Sequence, residues 1–322
     1  MSAFLYWIFV QLSVLLVQVD GYQSRFVATD QGRVHYYESA GQGSLPPIVL
    51  LHGIGCQSTD LYPVFRHLRA VSRKVIVVDL PAHGETEIPV EKLSLQAVQQ
   101  SFYQGLDQIL AQEEPAILFG NSLGGWQALL YAQHAPQELA GLVAVSPAGA
   151  RADDPAYQRL RQIFAHDTIE EPYSILPLLF NKKLAAPGVV AMMIQARFSQ
   201  PRVKALMERL SPEMTLPPEH LQKLNMPTLL IWGGQDRIFP DMLPYFKAHL
   251  PPQAEILEPS FFTHSPYIEG EMDRELHQLM VQWATRVFPA QVAEPAAPIF
   301  FQLAPVIAGV TPGWELKLLG EP

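Results

Sequence analysis

The feature that most narrows the folds open to this chain is the pentapeptide Gly120-Asn121-Ser122-Leu123-Gly124, set between segments of different period. Before it, Ala116 to Phe119 (AILF) is a short, wholly apolar run of the kind that forms a buried strand. After it, Gly125 to His134 has helical spacing and stops before Pro136. A strand that becomes a helix this quickly needs a sharp turn. The turn strains the backbone of the central serine, and small neighbours at Gly120 and Gly124 prevent clashes. A serine so placed stands at the carboxyl end of the sheet, where open α/β sheets bind ligands, with a helix N-terminus that favours negative charge. G-x-S-x-G in this setting points to Ser122 as a nucleophile. The plainer reading is a glycine-rich turn with an incidental serine.

The rest of the chain fits the same plan. Arg25 to Tyr37 alternates around Asp30-Gln31-Gly32 and reads as a hairpin. Ile48 to Leu51 and Lys74 to Val78 read as buried strands, with helical spacing over Leu61 to Val71 and Leu95 to Leu110. Leu139 to Val145 is the next strand. From about 148 to 226 the pattern changes: helical stretches such as Ala156 to Ala165 and Val189 to Phe198 are cut by Pro155, Pro172, Pro177, Pro187 and Pro201, and no strand is evident. Strands resume at Pro227 to Trp232 and Ala254 to Leu257, around a helix at Leu243 to His249. A helix from Glu271 to Val287 closes the domain. Strand–helix alternation predicts a mostly parallel sheet with helices on both faces, and the interruption predicts a helical cap over it.

His52-Gly53-Ile54-Gly55 follows the IVLL strand, and its glycines let backbone approach a ligand closely. Acyl transfer passes through an oxyanion that needs two fixed N–H donors. The expected donors are Leu123, just after the nucleophile, and Ile54. His52 reads as a brace for its loop.

Taken in order, HGIG, then DLPAHG (Asp79 to Gly84), GNSLGG (Gly120 to Gly125), WGGQDRIFP (Trp232 to Pro240) and THSPYIE (Thr263 to Glu269) resemble the α/β-hydrolase superfamily. The run SPAGA (Ser146 to Ala150), together with the apolar N-terminus, resembles the membrane-bound monoacylglycerol lipases and related bacterial lipases. The resemblance implies Asp236 as the acid of a catalytic triad and His264 as its base, in the order Ser, Asp, His usual for the fold. The family more often has Gly where Thr263 stands. In such a triad the base takes the serine proton, the acid fixes the tautomer of the base, and water then hydrolyses the acyl-enzyme. Asp79, ending the VIVV strand, is the rival acid but reads as structural, as does His83. Cys56 reads as a small packed residue. The other histidines show no metal-ligand spacing. Phe164, Tyr173, Phe180, Met192, Met193 and Phe198 of the cap read either as an acyl pocket or as plain core.

Composition excludes other classes. In 322 residues, 48% apolar and 16% charged residues argue against disorder. The 22 Lys and Arg are scattered among 31 Asp and Glu, so a nucleic-acid partner is not expected. One cysteine permits neither an internal disulfide nor a cysteine-based zinc site. No cofactor and no metal are expected, since a triad and an oxyanion hole suffice. Residues 1–21 carry an uncharged apolar run, Ala3 to Val19, which reads as a membrane anchor or signal segment, with an anchor favoured; the plainer reading is a helix docked on the domain. Residues 22–289 form the hydrolase domain, and 290–322 form a Pro- and Ala-rich tail. The expected partner is a small ester, with membrane association through the N-terminus. The expected reaction is hydrolysis of lipophilic carboxylic esters such as monoacylglycerols. Alternatives are carbon–carbon bond hydrolysis of ring-cleavage diketones, and a non-catalytic binding protein on the same scaffold.

Overall fold

The computed structural model describes residues 2–164 and 171–289. Eight strands form one sheet: β1 (Gln23–Thr29), β2 (Gly32–Ala40), β3 (Ile48–Leu51), β4 (Lys74–Val78), β5 (Ala116–Asn121), β6 (Leu139–Val145), β7 (Thr228–Ile231) and β8 (Glu255–Leu257). Their spatial order is β1-β2-β4-β3-β5-β6-β7-β8. β1 pairs antiparallel with β2, and β2 with β4; every later pairing is parallel. The α/β-hydrolase fold expected from the motifs is therefore present, including the hairpin turned at Asp30 and Gln31.

Alternation along the strands explains the two-sided core. Val49, Leu51, Ile76, Val78 and Leu118 face one way and pack with Phe102, Leu129 and Phe246. Their neighbours Leu50, Val75, Val77, Ile117 and Phe119 face the other way, against Phe65, Leu276 and Trp283. A run apolar at every position belongs in a strand covered on both faces. The described helices are α1 (Ser2–Val19), α2 (Tyr62–Phe65), α3 (Leu95–Leu110), α4 (Leu123–His134), five cap helices, α10 (Leu243–His249) and α11 (Met272–Val287).

The cap stands between β6 and β7. It comprises α5 (Asp154–Phe164), α6 (Glu171–Leu179), α7 (Pro187–Phe198), α8 (Pro201–Met207) and α9 (Pro218–Gln222). Two expectations need correction here. Of the prolines named above, Pro187 and Pro201 open helices and Pro155 stands in the first turn of one, because a first-turn residue has no helical acceptor for its N–H anyway. Pro177 lies inside α6. The single helix expected over Leu61 to Val71 is also broken. It consists of a 3₁₀ turn at Ser58–Leu61, the four-residue α2 and a second 3₁₀ turn at Leu68–Ala70.

α1 lies against the cap helix α7 and the Ser58–Leu61 turn. Among the described residues, no helix is long and apolar enough to cross a membrane. The tail, residues 290–322, lies outside the described residues.

Candidate active site

Ser122 sits between β5 and α4 with φ 55° and ψ −114°, a conformation rarely open to a residue with a side chain. Three backbone bonds hold it there: its N–H donates to Val145 O (3.0 Å), and its carbonyl accepts from Trp126 N and Ala148 N (both 3.0 Å). The small neighbours are required. A Cβ on Gly120 would stand 2.2 Å from Gly124 O. Leu123 opens the first turn of α4, where an N–H has no intrahelical acceptor.

Asp236 and His264 follow β7 and β8 and meet beside the serine. His264 Nδ1 lies 2.8 Å from Asp236 Oδ2. The other carboxylate oxygen, Oδ1, accepts from the N–H groups of Ile238 and Phe239, both at 2.9 Å. Burial opposes ionisation of this carboxyl, but His264 and the Phe239 N–H outweigh it and hold its pKa below the usual range. An ionised carboxylate can only accept, so His264 Nδ1 donates to Asp236, and it is the neutral ring of that tautomer that can accept a proton at Nε2. Nε2 is buried and has no hydrogen-bond partner among the described residues, and His264 and Ser122 line one cavity. Phe239 stands edge-on to the imidazole, ring centroids 4.7 Å apart, and limits its tilt. Thr263 fits where the family more often has glycine: it is buried, with Oγ1 3.8 Å from Met272 Sδ.

One residue beside the serine was not singled out from sequence. Asn121 is fully buried, and all four of its hydrogen-bonding positions are used. Nδ2 donates to Val145 O (3.1 Å) and His264 O (2.9 Å); Oδ1 accepts from Ser265 Oγ (2.9 Å) and Tyr267 Oη (3.2 Å). A single side chain thus ties the serine turn to the loop that carries His264. Its position within G-x-S-x-G was the available signal.

The Ile54 loop is braced by two histidines. His83 Nε2 accepts from Gly55 N (3.0 Å) while its Nδ1 contacts Pro81 O (3.1 Å). His52 Nε2 accepts from Leu80 N (3.1 Å) while its Nδ1 contacts Gly53 O (2.7 Å). Each ring must accept at one nitrogen and donate at the other, so each is neutral. Burial, then the neighbouring His52, lowers the His83 pKa to about 3, and burial lowers that of His52. Unfolded histidines titrate near 6.5, so the unfolded chain gains protons that the native chain refuses. Stability is complete above about pH 6.5 and declines as pH falls toward 3. For His83 alone the loss at pH 5 is about 2 kcal/mol. Urea midpoints should fall between about pH 7.5 and pH 5; a flat profile would contradict the neutral braces.

Asp79 is structural in its contacts. It binds His35 Nδ1 (2.7 Å) and the N–H groups of Ser58 (2.7 Å) and Glu85 (3.0 Å). These contacts overcome burial and hold its pKa at about 2. Asp79 makes no hydrogen bond to His264 among the described residues. Cys56 Sγ accepts from Tyr267 Oη (3.7 Å), and burial pushes its thiol up to about 11.

The cavity over Ser122 and His264 measures about 390 Å³. Ile54, Phe164, Phe180, Met193 and Phe198 line it. Of the other cap residues expected there, Met192 is buried in the core and Tyr173 is exposed. A larger cleft of about 1280 Å³ beside Arg151 and Tyr245 contains neither Ser122 nor His264. Among the described residues no cluster of His, Cys, Asp and Glu has the arrangement of a metal site.

The model of the alpha/beta hydrolase family matches residues 48–274. The chain belongs to the alpha/beta hydrolase family. As a member of it, the chain is 25% identical over 263 residues to the monoacylglycerol lipase ABHD6 of Bos taurus, covering 74% of this chain and 76% of that one. Among solved structures it resembles a membrane phospholipase A described as a bacterial virulence factor (TM-score 0.70, 23% identity, 88% and 93% coverage). It also resembles the carboxylesterase CesB of Bacillus subtilis (TM-score 0.64, 19% identity, 88% and 98% coverage). This chain is a hydrolase of the lipase and esterase type.

Proposed function

We propose that the protein is a serine hydrolase that cleaves lipophilic carboxylic esters, such as monoacylglycerols, through an acyl-enzyme. The observation that carries this reading is the buried His264–Asp236 pair, with the other ring nitrogen of His264, Nε2, left without a hydrogen-bond partner among the described residues in the cavity that Ser122 lines. In the proposed reaction His264 Nε2 takes the Ser122 proton as Oγ attacks the ester carbonyl. The N–H groups of Leu123 and Ile54 receive the oxyanion. The proton then passes to the leaving alcohol, and water, activated by the same imidazole, releases the acid. The cavity wall is mostly apolar; besides the reacting groups it holds Cys56, Arg197 and Ser265, and the guanidinium of Arg197 is already bonded to Asp60 and the Ser265 hydroxyl to Asn121 Oδ1. Such a wall favours an alkyl chain, and monoacylglycerol hydrolysis by the ABHD6 relative agrees with it.

A fluorophosphonate probe should label the wild type and fail to label Ser122→Ala. Turnover of p-nitrophenyl esters should fall with labelling by at least about 10³-fold. Persistent labelling of the variant would remove Ser122 as nucleophile. Loss of absorbance from a dienone substrate, with no ester turnover, would favour the carbon–carbon hydrolase. Neither label nor turnover in folded wild type would favour a binding protein.

A lipid surface fits the same reading. α1 is uncharged, and Phe4, Leu5, Trp7, Leu12, Leu15, Leu16 and Val19 are exposed along it. An exposed apolar patch of this kind suits contact with a lipid surface. The net charge of −9 favours zwitterionic over anionic lipid. Phosphatidylcholine vesicles should co-sediment with the wild type and release the Leu12→Glu/Leu16→Glu variant, whose urea midpoint should be almost unchanged. Equal partitioning of the two proteins would refute attachment through α1.

A further inference from the structure

We infer that α1 is a wall of the substrate cavity and that Phe9 is a specificity-determining residue that sets the acyl-chain preference; this rests on the ester-hydrolase reading. Phe9 lines the cavity that also holds Ser122 and His264, and it reaches that cavity from a part of the chain remote from every sequence motif. Its helix is fixed at both ends. Near the N-terminus, Tyr6 Oη receives Gln200 Nε2 (3.2 Å), and the Arg197 guanidinium stands 5.8 Å from the Tyr6 ring centroid. Near the C-terminus, Val17 is fully buried, Tyr22 Oη donates to Phe65 O (3.0 Å), and Arg69 donates to Asp20 O.

Burial along α1 follows the helical period. Tyr6, Val10, Val14 and Val17 face the body of the protein, while Phe4, Leu12, Leu16 and Val19 face away. Phe9 stands at the edge between these faces, 39% exposed, with one side toward the cavity. Phe198 and Ile54 form other parts of the same lining. A fixed aromatic ring at that place contacts the methylenes of a bound acyl chain and limits the length that fits. Membrane-anchor and signal readings of this segment assign it no part in the reaction. Its position here makes it part of the cavity's lining.

The test uses the full chain with Phe9→Ala, Phe9→Trp and, as a control on an exposed polar position of α1, Gln11→Ala. A series of p-nitrophenyl esters of increasing acyl length reads KM and kcat separately. Phe9→Ala should raise KM for medium-chain esters roughly tenfold and move the optimum to longer chains. Phe9→Trp should move the optimum to shorter chains, and Gln11→Ala should leave the profile in place. A second readout needs no turnover: the affinity of Ser122→Ala for decanoate should weaken severalfold when Phe9→Ala is added. Profiles and decanoate affinities that superimpose on those of the parent proteins would overturn the assignment. Decanoate binding that depends on Phe9, in a protein inactive on every ester, would leave Phe9 in its place and remove the ester reading alone.

Discussion

Asp236→Asn is expected to keep the fold and lower kcat by about 10⁴-fold. The reason lies in how the carboxylate is shared. Oδ1 accepts from the N–H groups of Ile238 and Phe239, so the oxygen of an asparagine must take that place. Its NH₂ group then faces His264 Nδ1, where Oδ2 stands in the native protein. Two donors cannot share that contact, so Nδ1 must become the acceptor and the proton must move to Nε2. The imidazole then presents an N–H to Ser122 and cannot act as base. The check is kcat on a short p-nitrophenyl ester at about pH 8, beside a urea titration. A loss below about tenfold would remove Asp236 from the role proposed for it. Asp79→Asn is the contrasting case, because its bonds brace His35 and two loop amides rather than His264.

The second large effect concerns stability. Arg197 of α7 bonds Asp60 with both terminal nitrogens, Nη2 to Oδ1 at 2.5 Å and Nη1 to Oδ2 at 2.7 Å. The side chains are only 15% and 11% exposed. The pair joins the cap to the 3₁₀ turn after the Ile54 loop, and Asp60 Oδ2 also accepts from Gln57 N (2.8 Å). Removing one partner leaves a buried charge uncompensated. Asp60→Ala should therefore cost about 3–5 kcal/mol. Asp60→Leu/Arg197→Met should recover most of that loss, because two well-packed apolar groups need no compensation. Urea midpoints of the singles and the double give the coupling. Strictly additive losses would mean that the pair is not the link between cap and turn.

The sequence makes the fold legible where local pattern and topology coincide. Ser122, Asp236 and His264 each stand just past a strand whose apolar run is plain in the chain. Parallel strands bring those ends to one edge of the sheet, so chain order carried the geometry. Ile54 and Leu123 follow β3 and β5 and come to the same edge. What was hidden depends on pairing across the fold. Asp60 and Arg197 are 137 residues apart, and neither lies in a motif. Asn121 is conspicuous in the pentapeptide, but its bonds to His264 O and Tyr267 Oη exist only once the last loop has closed. The prolines of the cap misled because one residue type both ends and begins helices, and only the neighbouring hydrogen bonds decide which. α1 is apolar on both faces, so its periodicity does not reveal which face meets the protein.

The docking of α1 has a consequence for synthesis on the ribosome. Tyr6 is made 194 residues before its partner Gln200. At translation rates of about 5–20 residues per second, that interval lasts roughly 10–40 s. For all of it the uncharged apolar α1 lacks the part of its cover that α7 supplies, and stays available to any factor that scans nascent chains for hydrophobic stretches. Slower passage through residues 20–200 would lengthen that exposure, and faster passage would favour burial against the cap. The rate of elongation, rather than the finished fold, then governs how many chains are captured before the helix finds its place.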